Sequence, residues 1–362
     1  MNTLKKTVLA ASIASLASLA NANIVTSIKP LGFIASSIAD GVTETEILVP
    51  AGASPHDYSL KPSDVQKLQA AELIVWVGED VDAFLDKSLR QMPFKKVLSI
   101  SDFSEIGDLL EVEAHEHKHD HKHDHDHKHD HDHKHDHDHK HDHDHKHDHE
   151  HKHDHDHKHD HDHKHDHDHK HDHDHEHKDA QGHHHGHDHD HSTNWHVWYS
   201  PEISKVVAER LASRLNELYP EKKEKIEQNL AEFNRTLAAQ SEKIKQQLAP
   251  VKDKGFYVFH DAYSYFNNAY GLKQTGYFTI NPLVAPGAKT LAKIKEEIKE
   301  HKVNCLFAEP QFTPKVIESL SKGTGVHVGR LDPMGDAVKL GVNSYANFLQ
   351  YTADSYFSCL SK

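Results

Sequence analysis

The chain has 362 residues, enough for two domains of ordinary size, and a formal net charge of −15. Most of that charge lies in one segment, 115–191, which holds 24 acidic residues and 11 lysines. The remainder is close to neutral and shows no basic stripe, which argues against nucleic acid as a partner.

The first 22 residues have the pattern of a cleavable signal peptide. Two lysines precede an apolar stretch at 7–19, and residues 20–22 fit the A-x-A cleavage pattern. The apolar stretch is shorter than the roughly 20 residues that span a bilayer. The residue after the cut is Asn23, not the cysteine of a lipid-anchored protein. We therefore expect an exported protein located in the periplasm.

Residues 23–101 alternate short β-rich runs with helical stretches. The strand-like runs are Ile24–Ile28, Glu46–Val49, Leu73–Val77 and Val97–Ile100. One helix is expected to begin at Ser63, where Gln66 would complete a capping box. Strands that alternate with helices predict a mostly parallel sheet with helices on both faces.

The segment 115–191 is a low-complexity tract with 38 of the 43 histidines, and its core repeats H-K-H-D-H-D with period six. It has almost no apolar residues, so we expect a disordered surface loop inserted in the amino-terminal lobe. Imidazoles beside carboxylates favour a low-affinity zinc collector or sensor. A solvated spacer is the alternative. Two H-E-x-x-H strings in the tract lack the apolar helical face of a metalloprotease.

After the tract, Pro201–Leu218 and 220–249 have helical periodicity, and the second stretch reads as a rigid connector about 43 Å long. Strands are then expected at Phe256–Phe259, Cys305–Ala308 and Val326–Leu331, and helices at Tyr263–Tyr270, Leu291–His301, Pro314–Lys322 and Tyr345–Leu360. The expected order is a signal peptide (1–22), an amino-terminal α/β lobe (23–219), a connecting helix (220–249) and a carboxyl-terminal α/β lobe (250–362).

Five histidines lie outside the tract, and three of them, His56, His196 and His260, stand where strands give way to loops. Ligands of open α/β sheets bind beyond the carboxyl ends of the strands. Imidazole nitrogens suit Zn²⁺. Taken singly, each of the three fits a structural histidine better than a ligand, and the sequence does not show that they converge. The other two, His301 and His327, are expected to face solvent.

The only cysteines are Cys305 and Cys359. An even count in an exported chain indicates a disulfide, and two buried free thiols are the alternative. The bond would close a loop of roughly 55 residues and contribute about 4 kcal/mol in the chain-entropy model.

Five motifs give the chain a resemblance to a known family. They are G-A-S-P-H-D-Y-S-L-K-P-S-D (Gly52 to Asp64), H-V-W-Y-S-P (His196 to Pro201), F-H-D-A-Y-S-Y-F (Phe259 to Phe266), F-A-E-P-Q-F (Phe307 to Phe312) and L-D-P-M-G (Leu331 to Gly335). In this order they resemble the metal-specific substrate-binding proteins of ABC importers, most closely the zinc-uptake branch. The resemblance covers the chain from residue 23 onward apart from the tract. It implies two α/β lobes joined by one long rigid helix, with Zn²⁺ bound as cargo between the lobes.

The resemblance also implies roles for single residues. His56, His196 and His260 match the three ligand histidines of the family. Manganese-type relatives have Glu at the position of His260, and a histidine there favours zinc. Asp332 matches a ligand aspartate of those relatives. It is expected either as a fourth ligand or as a support of the other ligands, with water the other candidate for the fourth position.

The function that the resemblance implies is capture of Zn²⁺ and its delivery to an inner-membrane permease and its ATPase, by a monomer that is not an enzyme. Cys305 and Cys359 match the disulfide pair of many members. A zinc hydrolase is one alternative, because three histidines and a water also describe a catalytic zinc. Glu309 would be its base, although we expect a buried structural carboxylate there. A metal-binding adhesion protein is the other alternative.

Overall fold

The structure, a computed structural model, describes residues 23–112, 193–312 and 315–362. The predicted signal peptide and the histidine-rich tract lie outside the described residues, as does Pro314. Among the helices of the described ranges, none is both long and apolar enough to cross a membrane.

The amino-terminal lobe is built on a four-stranded parallel sheet. Its elements are β1 (Asn23–Thr26), α1 (Lys29–Ile38), β2 (Glu44–Ile47), α2 (Pro62–Ala70), β3 (Leu73–Trp76), the one-turn helices α3 (Glu79–Asp82) and α4 (Asp86–Leu89), and β4 (Val97–Ser99). The strand order is β2-β1-β3-β4. Every residue of the central strands β1 and β3 is buried, as in a sheet that is covered on both faces.

A short antiparallel pair, β5 (Glu111–Val112) and β6 (Thr193–Asn194), flanks residues 113–192. We call this pair the stem. It is followed by α5 (Pro201–Leu218) and by the long helix α6 (Lys223–Leu248), which has a 3-10 turn at each end. The 26 residues of α6 span about 39 Å.

The carboxyl-terminal lobe repeats the plan of the first. Its elements are β7 (Phe256–His260), α7 (Ser264–Tyr270), β8 (Gly276–Thr279), α8 (Ala288–Lys299), β9 (Cys305–Ala308), α9 (Lys315–Thr324), β10 (His327–Arg330) and α10 (Ser344–Leu360). The sheet is again parallel, in the order β10-β9-β7-β8. The predicted fold class, two parallel α/β sheets with one long helix, is confirmed. The predicted lobe boundaries at 219/220 and 249/250 stay predictions.

Helix α6 packs between the lobes through a periodic buried stripe, whose members are Ile226, Asn229, Phe233, Leu237, Ile244 and Leu248. Asn229 is the polar member of this stripe. Its side-chain amide donates hydrogen bonds to the carbonyl oxygens of Ile38 at 2.9 Å and Asp40 at 2.8 Å. These two bonds satisfy one carbonyl group at the end of α1 and one just beyond it, where the helix no longer supplies donors.

Several elements differ from the predictions: strands β5 and β6 were not predicted, and α8 begins at Ala288, three residues before the predicted Leu291. Strand β8 was not predicted, because it is a four-residue edge strand that is only partly buried. Helix α2 begins at Pro62, one residue before the predicted Ser63. The acceptor at its start is the carboxylate of Asp64, not the side chain of Gln66, and it binds the backbone N–H of Lys61 at 2.9 Å.

The predicted disulfide is present and joins Cys305 on β9 to Cys359 on α10. Both cysteines are buried. Beside them, Tyr356 packs edge-on against Phe256 and Phe307, with ring centroids 5.1 Å apart in each pair. The bond therefore fixes the last helix against the centre of the carboxyl-terminal sheet.

A buried carboxylate connects the central strands of the amino-terminal sheet. Asp82 is fully buried, and its Oδ2 accepts hydrogen bonds from the Ser27 hydroxyl and the Val77 backbone N–H, both at 2.8 Å. Ser27 follows β1 and Val77 follows β3. Burial raises the pKa of Asp82 from 3.8 to about 7, although the hydrogen bonds oppose the shift.

The raised pKa of Asp82 predicts how the stability of the folded protein depends on pH. Because the folded-state pKa is above the unfolded one, the folded protein holds the extra proton between about pH 4 and 7, and it loses stability as pH rises through that window. Between these pH values, the free energy of unfolding of Asp82→Asn should rise relative to that of the wild type by up to about 1.4 kcal/mol per pH unit. Urea unfolding of zinc-free protein at pH 5 and pH 8 measures this difference. A difference that does not change with pH would contradict the prediction.

Candidate metal centre

The three histidines singled out in the sequence come from three separate places in the fold. His260 is the last residue of β7, and His196 lies between β6 and a 3-10 turn that leads into α5. His56 lies in the loop between β2 and α2. This loop is tied at both ends: Val49 continues the pairing with β1 through a bond to the carbonyl of Ser27, and the hydroxyl of Tyr58 donates to Asp64 on α2 at 2.7 Å.

Their ring nitrogens converge on one point. One nitrogen from each of His56, His196 and His260 lies within 4.8 Å of the other two. The Nε2 atoms of His196 and His260 are 3.2 Å apart. Two nitrogens on a tetrahedral Zn²⁺ with bonds of roughly 2.05 Å would be about 3.3 Å apart. The spacing therefore suits a single tetrahedral ion.

Two of the rings are held by hydrogen bonds from the side that faces away from this point. Nδ1 of His260 lies 2.7 Å from Oε1 of Glu309, which also accepts a hydrogen bond from the Tyr263 hydroxyl at 3.0 Å. Nδ1 of His196 lies 2.7 Å from Oδ1 of Asn194. Such contacts to the far nitrogen are the usual way in which proteins orient a histidine for a metal.

Two of the three imidazoles, those of His56 and His196, are held uncharged. Burial, and next the repulsion from His260, lowers the pKa of His56 from 6.5 to about 3. Burial, and next the repulsion from His260 and His56, holds the pKa of His196 well below its ordinary value. Both rings are neutral at pH 7, so a metal ion need not displace a proton from either of them.

The rings border a small cavity of about 10 Å³, which is roughly the room that one water molecule needs. Its other walls include Trp198, Phe312 and Met334. Trp198 packs edge-on against His196 at 5.1 Å between centroids, and its indole N–H donates to the carbonyl of Pro333 at 3.1 Å. An ion bound here would have aromatic and apolar side chains beside its imidazole neighbours.

Asp332 lies near the centre but is not among the converging groups. Its Oδ1 accepts from the amide of Gln311 at 2.8 Å and from the backbone N–H of Met334 at 3.0 Å. Its Oδ2 accepts from the backbone N–H of Asp336 at 2.7 Å. In this arrangement the carboxylate stabilises the turn at 332–336, which supplies Met334 to the cavity.

The same turn connects the two lobes. The carboxylate of Asp336 accepts the N–H of Gly52 at 2.6 Å, and its carbonyl accepts from Lys29 at 2.7 Å. Gly52 lies in the loop that carries His56 and has a φ of 78°, which a glycine adopts without strain. The loop of one lobe is thereby held by a residue of the other.

The remaining sequence expectations for single residues can be compared directly. His301 and His327 are both exposed, as predicted, and His301 lies just beyond the end of α8. Glu309 is buried, also as predicted. Sequence reasoning missed the partners of the ligand rings, although one signal was present: Glu309 is a charged residue that directly follows an apolar strand.

Comparison with known proteins also points to zinc binding. The family model for zinc-uptake complex component A, periplasmic (ZnuA), matches residues 24–359. The high-affinity zinc uptake system protein ZnuA of Haemophilus influenzae is 65% identical over 359 residues, which is 99% of each chain. The protein of the same description from Haemophilus ducreyi is 51% identical over 358 residues, again 99% of each chain.

Among solved structures, the periplasmic zinc-binding protein TroA of Treponema pallidum has a TM-score of 0.65 at 16% identity, over 94% of this chain and all of that one. At this identity the likeness concerns the fold alone. The sequence matches carry the assignment, since they extend over nearly the whole chain. The chain belongs to the ZnuA family of periplasmic zinc-uptake components.

Proposed function

We propose that the chain captures Zn²⁺ as cargo with one nitrogen each from His56, His196 and His260. The observation that carries this proposal is the convergence of the three ring nitrogens within 4.8 Å of one another. Since Nδ1 of His196 and of His260 is engaged by Asn194 and Glu309, these two rings offer Nε2. Three imidazoles also suit zinc better than manganese, which prefers carboxylate oxygens.

For the fourth position we propose water, with Asp332 as a support of the centre. Both oxygens of Asp332 already accept hydrogen bonds from Gln311 and from the backbone of the 332–336 turn. Turning this carboxylate toward the metal would remove acceptors from those donors, and a buried donor left without a partner costs about 1–3 kcal/mol.

Membership in a family of zinc-uptake components implies that the chain has a permease partner. We propose that it delivers zinc, as a monomer, to an inner-membrane permease driven by an ATPase. Family membership favours this role over the hydrolase and adhesion alternatives. Glu309, the base that a hydrolase would need, has Oε1 occupied by His260 and Tyr263, which suits support of a ligand.

The first prediction of the proposed function concerns the three zinc ligands. Changing His56, His196 or His260 to Ala should weaken tight zinc binding by about 100-fold or more, or about 2.7 kcal/mol, because each change removes one of three protein ligands. Competition with a chromophoric chelator measures the affinity. His301→Ala, which removes an exposed histidine, is the matched control. If one of the three variants binds zinc as tightly as the control, the histidine changed in that variant is not a zinc ligand.

The second prediction concerns the choice of metal. A hundredfold excess of Mn²⁺ should leave zinc in the centre, because imidazole ligands bind Mn²⁺ more weakly. Metal analysis of the protein after desalting measures this, with Co²⁺, which lies nearer to zinc in affinity, as the comparison. Replacement of zinc by Mn²⁺ would contradict the zinc assignment.

The third prediction concerns the histidine-rich tract, which we propose as a low-affinity collector. The full chain should bind several more zinc ions than a chain lacking 115–191, because 38 histidines lie in that segment. Both chains should keep one tight site. Isothermal titration at neutral pH compares them. Equal stoichiometry would instead make the tract a spacer.

A further inference from the structure

Asn194 takes part in both the metal centre and the stem. It is the last residue of β6, and its side chain is buried. Its Oδ1 accepts the backbone N–H of His196 at 3.0 Å and lies 2.7 Å from Nδ1 of the same residue. Its Nδ2 donates to the carbonyl of Asp261 at 2.9 Å and to the hydroxyl of Ser264 at 3.0 Å.

These contacts determine which way the amide of Asn194 faces. A backbone N–H can only donate and a backbone carbonyl can only accept. The N–H of His196 therefore requires the amide oxygen on its side, and the carbonyl of Asp261 requires the amide nitrogen on the other. Because Oδ1 can only accept, Nδ1 of His196 must carry the ring proton. Nε2 is left with its lone pair, facing Nε2 of His260 at 3.2 Å.

The backbone of Asn194 is held from a different direction. The hydroxyl of Tyr265, on α7, donates to the carbonyl of Asn194 at 2.6 Å. The same hydroxyl accepts the N–H of Glu111 at 3.0 Å. It thus bridges β5 and β6, which also pair with each other through Glu111 opposite Asn194. Tyr265 is buried, and this burial raises its pKa to about 12, so the bridge keeps its proton at neutral pH.

We propose that Asn194 is a positioning residue for zinc capture, which fixes the tautomer of His196 and ties the placement of that ring to the stem through the Tyr265 hydroxyl. The inference rests on the proposed function, in which His196 is a zinc ligand. One consequence concerns the stem. The stem is where residues 113–192 join the described chain, so a change in the pairing of β5 with β6 alters zinc affinity at His196.

The test uses four variants of the full chain, and a fifth, His196→Ala, serves only to assign a signal. Asn194→Ala removes every side-chain contact, and Asn194→Asp keeps the acceptor for the His196 ring. Tyr265→Phe removes the bridge but leaves Asn194 in place. Tyr270→Phe is its matched control, since Tyr270 is also buried on α7 but its hydroxyl pairs with Ser241. Unfolding midpoints show which variants are folded.

Two properties are measured on each variant. The first is zinc affinity, by competition with a chelator strong enough to strip weakly bound ions. The second is the proton NMR signal of the buried Nδ1–H of His196 in metal-free protein. This signal is assigned by its loss in His196→Ala. A purely structural role for Asn194 would not move this signal in a variant that remains folded.

Asn194→Ala should weaken zinc binding by about 10- to 100-fold, the usual effect of removing the partner of a metal-binding histidine, and should abolish the Nδ1–H signal. Asn194→Asp should keep the signal, because a carboxylate oxygen still accepts from Nδ1, and should lose less affinity than Asn194→Ala, although its other oxygen then faces the carbonyl of Asp261. Tyr265→Phe should weaken binding by about tenfold, and Tyr270→Phe should bind as wild type does. Should Asn194→Ala fail to fold, Asn194→Asp and Tyr265→Phe carry the test.

Asn194→Ala with wild-type affinity, or with the Nδ1–H signal intact, would overturn the positioning role. Equal affinities for Tyr265→Phe and Tyr270→Phe would overturn the link to the stem. If wild-type protein itself lacks a tight zinc site, the proposed function fails, and the signal in metal-free protein still decides whether Asn194 fixes the tautomer of His196.

Discussion

Three imidazole rings with centroids 5.0 to 5.7 Å apart must each turn one nitrogen toward the same point, and the rest of the site depends on this constraint. Charged rings at this distance would repel one another. Burial reduces this repulsion at His56 and His196, because it lowers the pKa of both rings. The lobes then have to supply hydrogen bonds on the outer side of the rings, because a buried polar nitrogen without a partner is costly.

The outer partners are chemically unequal. His260 faces the carboxylate of Glu309, whereas His196 faces the neutral amide of Asn194. A carboxylate makes a histidine a stronger donor to a metal than an amide does, since it stabilises positive charge on the ring. His260 is therefore the stronger ligand of this pair, and it belongs to the carboxyl-terminal sheet. His196 owes its orientation to Asn194, a residue of the stem.

Much of this molecule follows from its sequence, for physical reasons. Alternation of β-rich runs with amphipathic helices determines a parallel sheet, and the spacing from Ile226 to Leu248 determines a long helix with one buried face. His56, His196 and His260 stood out because each ends a strand or opens a loop. Their convergence could not be derived, since it depends on how two sheets are placed by contacts far apart in sequence, such as Gly52 with Asp336.

The polar details were equally beyond sequence reasoning. Asn194, Asn229 and Asp82 are short polar residues of the kind that ordinarily mark turns and helix caps. Each is instead buried and connects elements that are distant in the chain. Periodicity records which face of an element is apolar, but it carries no signal for a single polar group whose partner lies in another layer.

The small size of the cavity has a consequence for how a zinc ion enters and leaves. A zinc ion in solution carries a full shell of water, and a space of about 10 Å³ has room for about one such molecule. The ion must therefore exchange water for imidazole stepwise as it enters, and imidazole for water as it leaves. Release is in this sense a rehydration, in which water takes the place of each imidazole in turn.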